Sequence, residues 1–154
     1  MTSRQRSLRW KLLAAIVLVL AQAGLGVAVN LYVTVPAHHP GAQPANYFTG
    51  SLHSLAWAIG HGAATLAVHA ALGLVTVVVV VGTAVHALRS GPRGVGGSSV
   101  LGGLFVVGAG FNGTSFLDFG HDVSSLLMAL LAFTAIGCYC VGLVLLAATS
   151  PTAR

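Results

Sequence analysis

Glutamate is absent from this 154-residue chain, and Asp118 and Asp122 are its only acids. Charged residues of either sign make up 6% of the sequence, against about a quarter in a soluble domain. So few charges would leave a water-facing surface without its usual polar cover, which excludes an ordinary soluble protein. Cysteine is scarce too. Cys138 and Cys140 stand two apart in an apolar run, where helical side chains point about 200° apart, so they form no disulfide framework.

What is present is apolar. Hydrophobic residues make up 56% of the chain and the mean hydropathy is +0.90, so the solvent it calls for is the lipid bilayer. The length suits one domain. Four apolar stretches stand out, at about 11–35, 62–88, 97–116 and 119–148, each near or above the roughly 20 residues a membrane-spanning helix needs. The expected fold is all-α: a single transmembrane domain over 1–154, built as an integral membrane four-helix up-down bundle. Arg4, Arg6, Arg9 and Lys11 before the first stretch resemble the basic start of a signal peptide. The apolar run that follows exceeds the roughly 7–15 residues of a signal peptide, so a retained anchor is expected.

Residues 36–61 hold a loop followed by a short interfacial helix. The loop, AHHPGAQPANYFTG, is rich in Pro, Gly and Asn and has no periodicity. Residues 51–88 then carry no Lys, Arg, Asp or Glu. One helix of that length would run about 57 Å, against roughly 30 Å of hydrocarbon. The excess predicts a short helix containing His53 and Trp57, broken from the true span at Gly60-His61-Gly62. Trp57 suits the lipid–water boundary.

The net charge of +5 suggests nucleic acid only until the cations are placed. With the N-terminus cytoplasmic, Arg4, Arg6, Arg9, Lys11, Arg89, Arg93 and Arg154 all fall inside, and Asp118 and Asp122 outside. This segregation follows the positive-inside rule, places both termini in the cytoplasm at the cell membrane, and makes anionic lipid the partner of the basic arm rather than nucleic acid.

The remaining polar residues gather toward the outer side: Asn30, His38, His39, His53, His61, His69, Asn112, Asp118, His121 and Asp122. In the second span Gly62, Thr65, His69, Gly73, Thr76, Val80 and Thr83 recur at helical spacing, and in the fourth His121, Ser125, Met128, Ala132, Ala135, Tyr139 and Gly142 do the same. Small and polar stripes face other helices in lipid, so His69 is expected to point inward and His121 either to point inward or to cap the bundle from above. The third span is crowded with glycine, and Gly102, Gly103, Gly108 and Gly110 are expected at helix contacts or against a flat macrocycle. Two inward imidazoles from different helices are what a bis-histidine haem site requires. His61 is the alternative to His69, because counting rises along straight helices matches its height to that of His121.

The segments AVHAALGLVTVVV and GHDVSSLLMALL, a His near the outer end of the second span and another opening the fourth, resemble membrane b-type cytochromes. They are particularly similar to one half of the haem A synthase fold, over about a third of the chain. The resemblance implies a haem b electron carrier or haem-handling protein; a redox protein of that kind at the outer face would exchange electrons with quinone, and a membrane protein is the other partner expected.

Other readings are open. His38, His39 and His53 form a candidate outer site for copper or zinc. The glycine-rich faces also suit a non-catalytic subunit or assembly protein that docks a membrane partner. Ser124, His121 and Asp122 are adjacent residues of one helix turn and point apart, which excludes a hydrolase triad. No inverted repeat and no mid-membrane charge argue for a transporter. Asp122 reads as a first-turn acid and Asp118 as the N-cap of the fourth span.

Overall fold

The computed structural model describes residues 2–149, and helix accounts for most of them. The element order is α1 (Ser3–Tyr32), α2 (Tyr47–His61), α3 (Ala64–Ser90), α4 (Arg93–Phe119) and α5 (Asp122–Ala148). α1, α3, α4 and α5 are long and apolar enough to cross a bilayer, the composition of a multi-pass membrane protein. α2, at 15 residues, is about 22 Å long and too short to do so.

Local chemistry sets the ends. The Thr2 side chain accepts from the Gln5 amide at 3.2 Å, and Gln5 Oε1 accepts from the Thr2 amide at 2.9 Å. This capping box starts α1 eight residues ahead of the expected boundary. α1 stops at Tyr32 rather than at 35, because Val35 precedes Pro36, which disfavours helix at the residue before it. Asn46 caps α2 through Thr49 N at 3.2 Å. Gly62 ends it, at the break read from the sequence, with its amide on Trp57 O. Gly91 and Pro92 separate α3 from α4, whose helix starts at Arg93, four residues ahead of the apolar stretch.

The four long helices alternate in direction and pack in a ring: α1 on α3, α3 on α4, α4 on α5, and α5 back on α1. α3 and α5 therefore stand diagonally, running the same way. The half of the bundle nearer the basic residues is solid. Leu8, Leu12, Ala15, Val19, Val80, Ala87, Val95, Val106, Ala135, Tyr139 and Leu146 are buried there. Tyr139 occupies its middle, flat against Gly102, where a Cβ would lie 2.8 Å from the ring.

The stripe of the fourth span is inward at Ala132, Ala135, Tyr139 and Gly142, and that of the second at Thr76, Val80 and Thr83. Gly102 and Gly103 are buried and Gly108 has Leu131 beside it, but Gly110 is exposed and a Cβ there would meet nothing within 4 Å. The expectation of a helix contact at Gly110 is corrected. It follows Gly108 by two, and two residues turn a helix by about 200°.

Aliphatic side chains cover the outward faces. Val17, Val78, Leu104, Leu130 and Val144 are each more than half exposed. At the acidic end, Val29, Ala58, Leu66 and Leu117 form a second small core with Trp57 and Val33 packed on it. That core seats α2 on the ends of α3 and α4.

Candidate functional site

The acidic end of the bundle holds most of the polar side chains, and several of them are joined across helices. Gln22 of α1 donates from Nε2 to the His69 carbonyl at 3.1 Å. One turn further along α1, Gly26 faces the His69 ring, so a Cβ there would stand 3.3 Å from Cε1 and 3.8 Å from Nε2. A further turn on, Asn30 Oδ1 accepts from Ser125 Oγ of α5 at 3.4 Å. Gln22, Gly26 and Asn30 thus form one face of α1, touching α3 and α5 in succession.

α2 and its loop close the end. Tyr47 OH donates to Phe111 O at 2.8 Å and lies 2.9 Å from Ser115 Oγ. Ser51 Oγ donates to Asp118 Oδ2 at 3.0 Å, and the Gln43 amide donates to Asp118 O at 2.9 Å. Asp118 is 2% exposed, its Oδ1 without a partner, and Ser54 Oγ, three residues past Ser51 on α2, is also buried and unpaired. The expectation that Asp118 caps the fourth span is therefore corrected. It lies in the last turn of α4, because Gly120 takes the left-handed conformation (φ +68°) that ends that helix. His121 occupies the position before α5 and makes no side-chain cap.

Each candidate ligand has a definite place. His69 is half-buried, and its Nδ1 is buried with no hydrogen-bond partner. It is the sixth residue of α3, about 8 Å along from that helix's N-terminal end. His121 lies just before the N-terminal end of α5, exposed, its ring 6.2 Å from Phe119. The two rings face different neighbours, α1 for one and Phe119 for the other. His61 ends α2 and is exposed. A haem held between two histidines needs both imidazoles inside the bundle at matching height. The residues here offer one half-buried imidazole and one exposed, so the His69–His121 pair as placed does not meet that requirement.

His38 and His53 are exposed. His39 stacks on Trp57 with centroids 4.3 Å apart, and its ring nitrogens lie 3.1 Å from Pro40 O and 3.1 Å from Leu117 O. Among the described residues no three His, Cys, Asp or Glu side chains are grouped to hold a metal ion.

No protein-family model, curated protein or solved structure matches this chain. What the end of the bundle can do rests on its own geometry. The stripe rule that singled out His69 would also have found Gln22, Gly26 and Asn30, spaced four apart on α1. The buried role of Asp118, by contrast, was hidden by misplacing the end of α4. Gly120 after an apolar run was the available signal.

Proposed function

We propose that the chain is a multi-pass protein of the cell membrane, both termini cytoplasmic, that serves as a non-catalytic subunit or assembly protein for a membrane partner. One observation carries this reading: four polar contacts near the acidic end join one helix to another. Gln22 is joined to His69 O, Ser125 to Asn30, Tyr47 to Phe111 O and Ser51 to Asp118. In lipid such bonds act as glue between helices. α2 then lies at the outer lipid–water boundary with Trp57 as its anchor. The cations of α1, α3 and α4 stand at one end and both acids at the other, which supports cytoplasmic termini.

A second reading is haem b binding for electron transfer, with quinone as the exchange partner. It rests on the buried, unpartnered Nδ1 of His69, since neutral imidazole is an axial ligand of haem iron. Copper or zinc at His38, His39 and His53 draws no support from their placement. The absorption spectrum of protein purified in mild detergent decides between the first two. The expected result is no Soret band, with or without His69→Ala. A Soret band with sharp α/β bands on reduction, lost in His69→Ala, overturns the subunit reading in favour of haem.

A further inference from the structure

Between α1 and α3, in the half of the bundle nearest the basic residues, runs a groove of about 280 Å³ lined by Lys11, Ala14, Val79, Gly82 and Thr83. Its floor is open because Gly82 has no side chain, and a Cβ there would meet nothing within 4 Å. Lys11 stands at its basic end. Of the four cations on α1, Lys11 alone is half-buried, while Arg4, Arg6 and Arg9 are exposed.

One helical turn past Gly82, on the same face of α3, comes His86. Its Nε2 is buried without a hydrogen-bond partner, and Lys11 and Arg4 are the charges that bear on it. No Asp or Glu side chain neutralises this cluster, because both acids stand at the other end of the bundle. Charge and shape therefore change together along the groove, from cationic at Lys11 to apolar at Ala14 and Val79.

We propose that this groove binds an anionic phospholipid, with the phosphate at Lys11 and an acyl chain lying over Gly82 along Ala14 and Val79. The inference rests on the membrane reading above. Basic pockets between spanning helices on the cytoplasmic side are where anionic headgroups gather. Here the glycine supplies the room a chain needs, and the half-buried Lys11 supplies the charge at its mouth. A second groove, of about 260 Å³ beside Arg6, Arg9, Trp10 and Leu13, belongs to α1 alone. With one wall and exposed cations it would attract anionic lipid without seating it.

The test uses the full chain. Recovery from alkali-washed membranes establishes the membrane reading first, and a chain released by alkali sinks that reading. Native mass spectrometry of the detergent-solubilised protein then compares dioleoyl phosphatidylglycerol with dioleoyl phosphatidylcholine. Phosphatidylglycerol should be retained preferentially. Lys11→Gln should weaken its retention about fivefold, the factor that corresponds to the ~1 kcal/mol one cation contributes near an anionic surface.

Gly82→Leu should also reduce retention, by filling the groove without meeting a neighbour. Arg6→Gln, on another face of α1, should leave retention unchanged, and millimolar inorganic phosphate should not displace the lipid. Equal retention of phosphatidylcholine overturns the proposal, as does wild-type retention by either Lys11→Gln or Gly82→Leu. Displacement by inorganic phosphate would make the site one for a free anion and overturn it as well.

Discussion

A Cβ added to Gly102 would lie 2.8 Å from the Tyr139 ring, whereas one added to Gly110 would meet nothing within 4 Å. Two glycines eight residues apart on one helix thus have opposite meanings. Gly102→Ala forces the buried ring to move and should destabilise the bundle by about 1–3 kcal/mol, the usual range for overpacking. Gly110→Ala should be neutral or stabilising by up to about 1 kcal/mol through helix propensity. Thermal unfolding in detergent compares the two, and equal melting points would remove Tyr139 from the centre of the packing. Tyr139 allows a second test. Its hydroxyl is buried with no hydrogen-bond partner, and such a group costs about 1–3 kcal/mol. Tyr139→Phe should therefore raise the melting temperature, and a fall would mean that the hydroxyl has a partner in solution. The glycine content of α4 was legible in the sequence as close packing. Which glycines touch a neighbour was not, because that depends on where Tyr139 of another helix arrives.

At the scale of elements, α2 is the part that tertiary contacts hold. It is seated on the small core of Ala58, Leu66 and Leu117 and bonded through Ser51 to Asp118. An acid in the last turn of a helix opposes the helix dipole, so Asp118 stabilises this joint only through the donors that reach it. Asp118→Ala removes the acceptor for Ser51 and leaves that buried hydroxyl unpaired. Backbone hydrogen exchange across residues 47–61 should then quicken markedly, while that of α3 and α5 stays as in the wild type. Unchanged exchange in α2 would show that its apolar contacts alone hold it. The sequence announced this helix by the excess length of residues 51–88 and its end by Gly60-His61-Gly62. It did not announce the latch, because the pairing of Ser51 with Asp118 spans 67 positions and leaves no periodic trace.

For the whole molecule, the alternating ring of α1, α3, α4 and α5 gathers the described cations at one end, although they lie on three helices. Arg154 lies outside the described residues. With the basic end inside, a reporter fused after Arg154 should read as cytoplasmic and one inserted near Gln43 as external. An external C-terminal reporter would require an odd number of crossings and break the up-down arrangement. The aliphatic outer faces also imply that the chain leaves the membrane with detergent and not with high salt or alkali, since burying them in lipid uses no ionic contact.

Helix number, approximate extent and mutual orientation were properties of the sequence by itself, because hydrophobic length and charge placement act locally and need no partner to be read. The inward stripe of α5 from Ala132 to Gly142 was legible for the same reason: 3.6-residue periodicity survives in any helix that packs on one side. For the histidines periodicity left His121 either inward or above the bundle, and the end of α4 at Phe119 left it exposed ahead of α5, while the room at Gly26 set the His69 ring against α1. Which side chains meet depends on helix ends, on the diagonal of the ring and on the backbone gaps that glycines leave. Those are set by contacts distant in sequence, so only the tertiary structure decided them.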